Sequence, residues 1–557
     1  MERSVAIDDD LAECGGACRK AAPTDDPDGR NKQRKRGQYF GRNKINRKAA
    51  AQSMQNAQSL CPTLARGETC TRGDNCRFDH NLDAFLTARA QREEDEKENR
   101  GDNANEKTTN ASDLFKKECP NVVAAGTCKF GLLCRFGSSH PTDMKIAPMQ
   151  SEREARLYSV LDAVRKHELS FERTKAILST ERTGSESYPF GETPSYKRDF
   201  RNKLYLAPLT TVGNLPFRRI CKEFGVDITC GEMAMCTNIL KGQRSEWALL
   251  RRHESEDFFG VQVCGGWTDS MTQCAELFND QVDCDFVDVN MGCPIDIVFK
   301  KGMGSGLMDK TTRVKQILHG MRSVLKDKPL TIKVRIGIDD GKPLAHKLVP
   351  IIADLRLDAL TIHGRTRQQR YTKEADWSYI RQLVDIAQPL NLPIIGNGDI
   401  LSYEDYNLRK QTSGVDSMMI ARGALIKPWI FTEIKEQRYW DIRSTERLDM
   451  LQRYTRYALE HFGSDTTGVD KTRRFLLELI SFQCRYVPVG ILERLPPRIN
   501  DRPPAFVGRD DLETLMASPS VHDWLRLSEL LLGPVPADFV FIPKHKSSSY
   551  EQPTNHG

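Results

Sequence analysis

Eight short runs rich in β-branched and other apolar residues recur between positions 203 and 421: KLYLA (203–207), DITCGEMA (227–234), GVQVC (260–264), FVDVN (286–290), LTIKVRI (330–336), ALTIHG (359–364), LPIIGN (392–397) and SMMIA (417–421). Most are followed by a polar or Gly-rich loop and then by a helix-like stretch such as TTRVKQILHGMRSVLK. Strands that alternate with helical patterns at this interval form βα units and a parallel sheet. Eight such units in about 230 residues fit a closed TIM-type (β/α)8 barrel; an open doubly wound sheet is the structural rival. The barrel is favoured by the repeat count and by the polar residues that collect at the strand ends, and it is assigned to 197–440.

The chain has 557 residues, enough for several domains of roughly 100–200 each. Residues 441–535 read as helices (LDMLQRYTRYALEHF, KTRRFLLELISFQCRYV and HDWLRLSELLLG), expected as a separate helical domain packed behind the barrel, and 536–557 as a tail. Ahead of the barrel, 141–196 reads as a helical linker, with Leu157, Val160, Leu161 and Val164 at the spacing of one or two amphipathic helices. Residues 81–118, including REEDEKENRGDNANEKTTN, read as a flexible charged linker. Residues 1–60 read as a disordered arm, with nine Lys/Arg and no acid between Arg30 and Lys48. That run is a solvated tail, an RNA-contacting arm or a nuclear-import signal, and the sequence does not separate the three. The formal net charge of +6 is mild, so a nucleic-acid surface must come from clustered charge. No run reaches the roughly 18 apolar residues that span a bilayer, and MERSVAIDDD lacks the apolar core of a signal peptide. The expectation is no membrane partner and a reducing compartment, cytoplasmic, nuclear or both, in which the 16 Cys are metal ligands, catalytic thiols or core residues.

Two Cys/His quartets stand ahead of the barrel. Cys61, Cys70, Cys76 and His80 (61–80) are spaced C-x8-C-x5-C-x3-H; Cys119, Cys128, Cys134 and His140 (119–140) are spaced C-x8-C-x5-C-x5-H. Three thiolates and an imidazole complete a closed tetrahedral Zn2+ site, the structural kind. Neither segment holds enough apolar residues to fold alone, so metal binding supplies the folding energy. The triplets Cys76-Arg77-Phe78 and Cys134-Arg135-Phe136, with Lys129 and Phe130, offer an aromatic face beside a cation; they either stack an unpaired base or simply cover the metal. Both segments resemble CCCH zinc fingers, a family that commonly binds single-stranded RNA.

In a barrel of this kind the chemistry sits at the C-terminal ends of the strands. Pro208, Leu209 and Thr210 follow the first strand, and Gln262 lies in the third. Asn290 ends the fourth and leads into Met291-Gly292-Cys293-Pro294. Lys333 lies in the fifth and His363 ends the sixth; Asn397, Gly398 and Asp399 follow the seventh, and Ala421 and Arg422 the eighth. A Lys in an apolar strand is costly unless paired or bound to a ligand; Glu232 is the candidate protein partner. Gly-rich loops after the seventh and eighth strands can hold a phosphate on backbone N–H groups. A phosphate, a Lys and several amides along one rim suit FMN. Cys293 is the candidate catalytic residue: a free thiol has a reference pKa near 8.5, which suits a proton donor as well as a nucleophile.

APLTTVGNLPFRRI, DVNMGCP, TIKVRIG, TIHGRTRQQRY, IIGNGDI and MIARGAL resemble the motifs of the tRNA-dihydrouridine synthases, FMN-dependent barrels with a C-terminal helical domain that helps grip tRNA. The barrel resemblance covers about 200–440, and KTRRFLLELISFQCRYVPVGILERLPPRINDRPP resembles the branch with two N-terminal CCCH fingers, which acts on position 47 of the tRNA variable loop. The resemblance implies that NADPH (or NADH) reduces FMN, that a hydride passes to C6 of uridine and that Cys293 protonates C5. It places the cofactor on Pro208, Leu209, Thr210, Gln262, Lys333, His363, Asn397, Gly398, Asp399, Ala421 and Arg422. tRNA is the expected partner, with mRNA left open, and a monomer the expected state. Candidate RNA contacts are Asn290, Arg365, Arg367, Arg473, Arg474 and Arg498; the last three lie in 471–502, with seven basic and three acidic residues. Two rivals remain: a small-molecule FMN oxidoreductase, which leaves the fingers unexplained, and a non-enzymatic CCCH RNA-binding protein, which leaves the barrel rim idle.

Overall fold

The computed structural model describes residues 60–73, 76, 78–98, 118–141, 151–183, 199–369, 373–493, 503–537 and 539–544; the basic arm before Leu60 lies outside them. Nine strands form one parallel sheet: β1 (Leu204–Leu206), β2 (Thr229–Cys230), β3 (Ala234–Met235), β4 (Phe259–Cys264), β5 (Phe286–Met291), β6 (Leu330–Arg335), β7 (Ala359–His363), β8 (Ile394–Asn397) and β9 (Ser417–Ile420). The order is β1-β9-β8-β7-β6-β5-β4-β2, and a parallel bridge between Tyr205 and Ile228 joins the two ends. The sheet is therefore closed into the expected barrel. The second candidate run divides into β2 and β3, both paired to β4, because its Gly231-Glu232 step interrupts the ladder.

The period of two along a strand decides what enters the barrel. Outward residues such as Val287, Val289, Ile332, Val334, Leu360 and Ile362 join the core shared with the surrounding helices. Inward residues Tyr205, Phe286, Ala359, Ile395 and Met419 form a separate plug with Phe200 and Phe258. A Cβ at Gly260 would lie 2.2 Å from the Phe286 ring, so β4 carries glycine where that ring crosses the barrel. Above this plug the inward positions turn polar. β5 offers Asp288 and Asn290, β6 Thr331, Lys333 and Arg335, β7 Thr361 and His363, and β8 Asn397. Register aligns Asn290 with Lys333, Arg335 with His363, and His363 with Asn397. Strand alternation and register thus bring residues far apart in sequence to one rim.

The segment 151–181 forms two helices, Glu152–Arg165 and Glu172–Thr183. They belong to the barrel's outer layer: Leu157, Leu161, Val164 and Ile177 join its core, and the Thr174 amide and hydroxyl both donate to Glu276. The expected linker 81–118 contains a helix, Leu82–Glu98, whose Arg89 donates to Leu132 O at 2.8 Å.

The helical region departs from its expected place. Its helices, Ser444–Phe462, Thr466–Gln483, Asp511–Ala517 and Val521–Leu532, share one apolar core with the barrel, and the bundle lies at the mouth, not behind it. Asn214, whose Oδ1 caps the Leu215–Glu223 helix after β1, donates from Nδ2 to Tyr454 Oη. Phe482 lines the mouth itself. Part of the expected tail also packs: the Lys544 amide donates to Glu478, and its ammonium to Thr211 Oγ1 in the loop after β1. No helix among the described residues is long and apolar enough to cross a membrane.

Candidate active site and zinc centres

Both Cys/His quartets converge. The ligand atoms of Cys61, Cys70, Cys76 and His80, and those of Cys119, Cys128, Cys134 and His140, each lie within 4.8 Å of one another, as a tetrahedral zinc site requires. His140 Nε2 is buried with no hydrogen-bond partner, so a metal would engage an otherwise unused ring lone pair.

The fingers are built into the body of the protein. Gly131 has φ +49°, and a Cβ there would sit 2.4 Å from Ala65 O, so glycine permits the second finger to close on the first. The second finger docks on the end of the Ser444–Phe462 helix. Lys129 Nζ donates to Glu460 O at 2.7 Å, the Arg135 amide donates to Ser464 O at 2.8 Å, and Phe130 lies against Gly463. The ammonium thus meets a carbonyl of the last turn, at the negative end of a helix. This corrects the base-stacking expectation for this finger: Lys129, Phe130 and Phe136 face protein. Phe78 of the first finger is half-buried, and Arg77 lies outside the described residues. Chelating the zinc is expected to unfold both fingers and expose the Gly463–Ser464 turn to proteolysis while the barrel keeps its own melting transition. A barrel transition lost together with the fingers, in thermal melts of chelated protein, would contradict this independence.

At the barrel mouth one cavity of about 720 Å³ is lined by all eleven residues expected to hold FMN, together with Asn290 and Cys293. That volume is in the range of cofactor pockets, about 300–1,000 Å³. Its walls are held by a buried network. Thr331 Oγ1 and Gln262 Nε2 donate to Asp288, each at 2.7 Å. Asn290 Nδ2 donates to Gln262 Oε1 at 2.8 Å, and Asn290 Oδ1 accepts from the amides of Gly292 and Cys293 at 3.2 and 2.9 Å. Arg335 Nε grips Gly292 O at 2.8 Å, and the Ser305 hydroxyl grips Cys293 O at 2.8 Å. The loop carrying the thiol is therefore clamped from both sides. Asn290, expected at the RNA, has both ends of its amide engaged in holding this loop.

Lys333 lines the cavity, and among the described residues its ammonium makes no hydrogen bond or ion pair; Glu232 instead accepts from the Thr211 amide. Burial, then repulsion from Arg335, pushes the Lys333 ammonium down to about 8. Burial and the cations Arg335, Lys333, Arg365 and Arg422 hold His363 well below its usual range, so the imidazole is neutral at pH 7. Burial pushes the Cys293 thiol up, partly opposed by the Ile295 amide, Arg335 and Lys333, so it carries its proton.

The far rim is shaped by backbone. Gly398 has φ +143°, and a Cβ there would meet Ala375 Cβ at 2.4 Å; at Gly423 it would meet Ile400 O at 2.1 Å. Asn397 Nδ2 donates to Met419 O at 2.8 Å, and Asp399 accepts two hydrogen bonds from Arg365 and pairs with Arg422 at 3.7 Å, so the loops' backbone and an Arg422 guanidinium held by Asp399 line the place of a phosphate. An unpaired ammonium, a neutral imidazole and two backbone-lined loops with an arginine fit FMN.

The expected RNA contacts fare less well. Arg365 is fully buried and braced by Asp399, and Arg473 is fully buried with its guanidinium on Ser528, Gly533 and Pro534; neither is a surface contact. Arg367 pairs with Asp296 and lies over the Phe299 ring. Arg474 donates to Val540 O and stacks on Phe539, and Arg498 lies outside the described residues. Asp288, buried beneath the mouth on Gln262 and Thr331, and Arg335, Met233 and Phe482, which line the mouth, were not singled out from the sequence. The first two carried a signal, being charged residues inside apolar strands and two positions in register from Asn290 and Lys333.

The profile of the dihydrouridine synthase (Dus) family matches residues 205–485, and that of the DUS3L CCCH zinc finger domain matches 57–88. A Xenopus tropicalis protein named tRNA-dihydrouridine(47) synthase [NAD(P)(+)]-like is 47% identical, over 95% of this chain and 85% of that protein. The Homo sapiens protein of the same name is 48% identical over 88% and 81%, and the Arabidopsis thaliana one 40% identical over 90% and 86%.

Proposed function

The chain belongs to the dihydrouridine synthase family, and from that membership we propose how the residues of its barrel mouth divide the work. The reaction is the reduction of uridine to 5,6-dihydrouridine in tRNA, at position 47 of the variable loop, with FMN and NADPH. FMN, when bound and reduced by NADPH, supplies the hydride that reaches C6.

The remaining chemistry falls to this chain. Lys333 and Gln262 would hold the flavin ring, and the Gly398-Asp399 and Ala421-Arg422 loops would receive its phosphate. The uracil must leave its stack to reach the cavity. There Cys293 Sγ gives its proton to C5, leaving a thiolate that takes a new proton from solvent. Burial keeps the thiol protonated beforehand, and the cations Arg335 and Lys333 stabilise the thiolate afterwards. Asn290 and Arg335 are positioning residues, since they hold the backbone on either side of the thiol. The observation that carries this reading is the protonated thiol clamped at the wall of the cavity that also receives the unpaired Lys333. The same reading takes the protein as a monomer of the cytoplasm, the nucleus or both.

The test is positional. A tRNA with U47 should gain one dihydrouridine there by mass spectrometry, and the same tRNA with cytidine at 47 should gain none. Dihydrouridine at another position in both transcripts would overturn the site assignment.

A further inference from the structure

Trp267 is 57% exposed, the one Phe, Tyr or Trp among the described residues that is more exposed than buried. It follows β4 directly and begins the Thr268–Gln281 helix, so it stands on the face of the barrel that carries the mouth. Arg313 covers one side of its ring at 4.8 Å. Arg313 Nη1 and Lys310 Nζ converge over Gly302, each 3.7 Å from where its Cβ would be, and Lys300 and Lys301 are exposed just before it. Among the described residues, the side chains of Lys300, Lys301, Lys310 and Arg313 make no ion pair or hydrogen bond. The nearby acids are few: Asp296 pairs with Arg367, Asp269 accepts from the Ser270 amide at 2.6 Å, and Asp309 is exposed.

This cluster adjoins the reacting thiol. A Cβ at Gly266 would lie 2.9 Å from Gly302 O and 3.0 Å from Met303 Cγ. Met303 packs in one cluster with Cys293, and a Cβ at Gly304 would lie 3.1 Å from Cys293 Cβ. The Trp267 turn, the 302–304 loop and the Cys293 loop are thus layered side by side. The segment between Cys293 and Lys300 presents Ile295 and Ile297, 48% and 71% exposed, where the cavity opens.

An open indole face with unpaired cations around it is the arrangement that binds single-stranded nucleic acid without reading its sequence, the ring stacking a base and the cations holding the phosphates. We infer that Trp267, with Arg313, Lys310, Lys301 and Lys300, forms a second RNA subsite that stacks an unpaired base neighbouring the target uridine and holds the strand open beside the mouth. It rests on the tRNA reading of the mouth given above. Trp267 is on this account a positioning residue, because it touches the RNA strand and not the reacting atoms.

The test compares wild type, Trp267→Ala, Trp267→Phe and the double variant Lys301→Ala/Lys310→Ala, with unmodified tRNA as substrate and flavin reduction by NADPH as the control. Trp267→Ala should raise KM for tRNA about tenfold with little change in kcat, and Trp267→Phe should restore most of it. The double variant should flatten the slope of log KM against log salt by about two. Unchanged KM in Trp267→Ala, or equal losses in the Ala and Phe variants, would overturn the subsite. Should Trp267→Ala also lose flavin reduction, the double variant decides, and an unchanged KM and salt slope there overturn it. Failure of the parent reading is distinct: wild type itself would then form no dihydrouridine in tRNA.

Discussion

Cys293→Ala is expected to bind FMN and to be reduced by NADPH like wild type, yet to slow the uridine half-reaction by roughly a hundredfold to ten-thousandfold, the usual worth of a positioned acid. The separation follows from geometry. The flavin's polar contacts fall to Lys333, Gln262 and the two far loops, and the nicotinamide half-reaction needs no proton from this thiol. The loop itself should survive the substitution, because it is held through its backbone: Asn290 Oδ1 on the Cys293 amide, and Ser305 on the Cys293 carbonyl. Cys293→Ser should also be poor, since an alcohol is a much weaker acid than a thiol. A packing cysteine would give the opposite pattern, a modest loss of stability with both half-reactions changed about equally. Pre-reduced Cys293→Ala that is reoxidised by unmodified tRNA at the wild-type rate, with dihydrouridine formed, would move the proton to His363, which lines the same cavity.

Lys333→Met should change two quantities in opposite directions. FMN affinity should fall about a hundredfold, the scale of a lost charge-assisted hydrogen bond. The FMN-free protein should become more stable at pH 7. The ammonium is pushed down to about 8 in the folded protein, whereas the unfolded chain keeps the proton to about 10.4. Below pH 8 the group is charged in both states, and holding that buried charge costs the fold on the order of 3 kcal/mol. The folded state binds fewer protons between pH 8 and about 10.4, so wild-type stability recovers as pH rises through that window. Melting temperatures of the flavin-free proteins should therefore differ at pH 7 and converge near pH 10. A variant that is less stable at pH 7 and keeps its flavin would show that Lys333 supports the fold and not the cofactor.

The barrel was legible because its signal is local. Each strand is an apolar run ended by a loop, and the residues at those ends become the rim whatever the rest of the chain does. Lys333, His363 and the glycine loops could thus be placed without coordinates. Asp288 and Arg335 were within reach of the same reasoning, being charged residues in the apolar runs FVDVN and LTIKVRI, but only the period of two shows that they share the inner face with Asn290 and Lys333. The RNA contacts were not legible, because the charge of a segment does not say which of its arginines is exposed. Arg473 sits in a basic stretch and is fully buried against Ser528 and the turn after the last helix. The second finger fails the same way: Lys129 and Phe130 have the composition of a base-stacking face, and only the docked helix end at Glu460 shows what they meet. Trp267 carried no periodic signal, and its surroundings come from loops far apart in sequence.

The most direct test of the account is a single turnover without oxygen. Protein reduced by NADPH and freed of excess nucleotide is mixed with unmodified tRNA or with free uridine, while flavin absorbance is followed and dihydrouridine is counted per flavin. The account predicts reoxidation by tRNA with one dihydrouridine formed per flavin, and no comparable reoxidation by free uridine. Flavin that stays reduced in the presence of tRNA but is readily reoxidised by a small enone or by free uridine would contradict it.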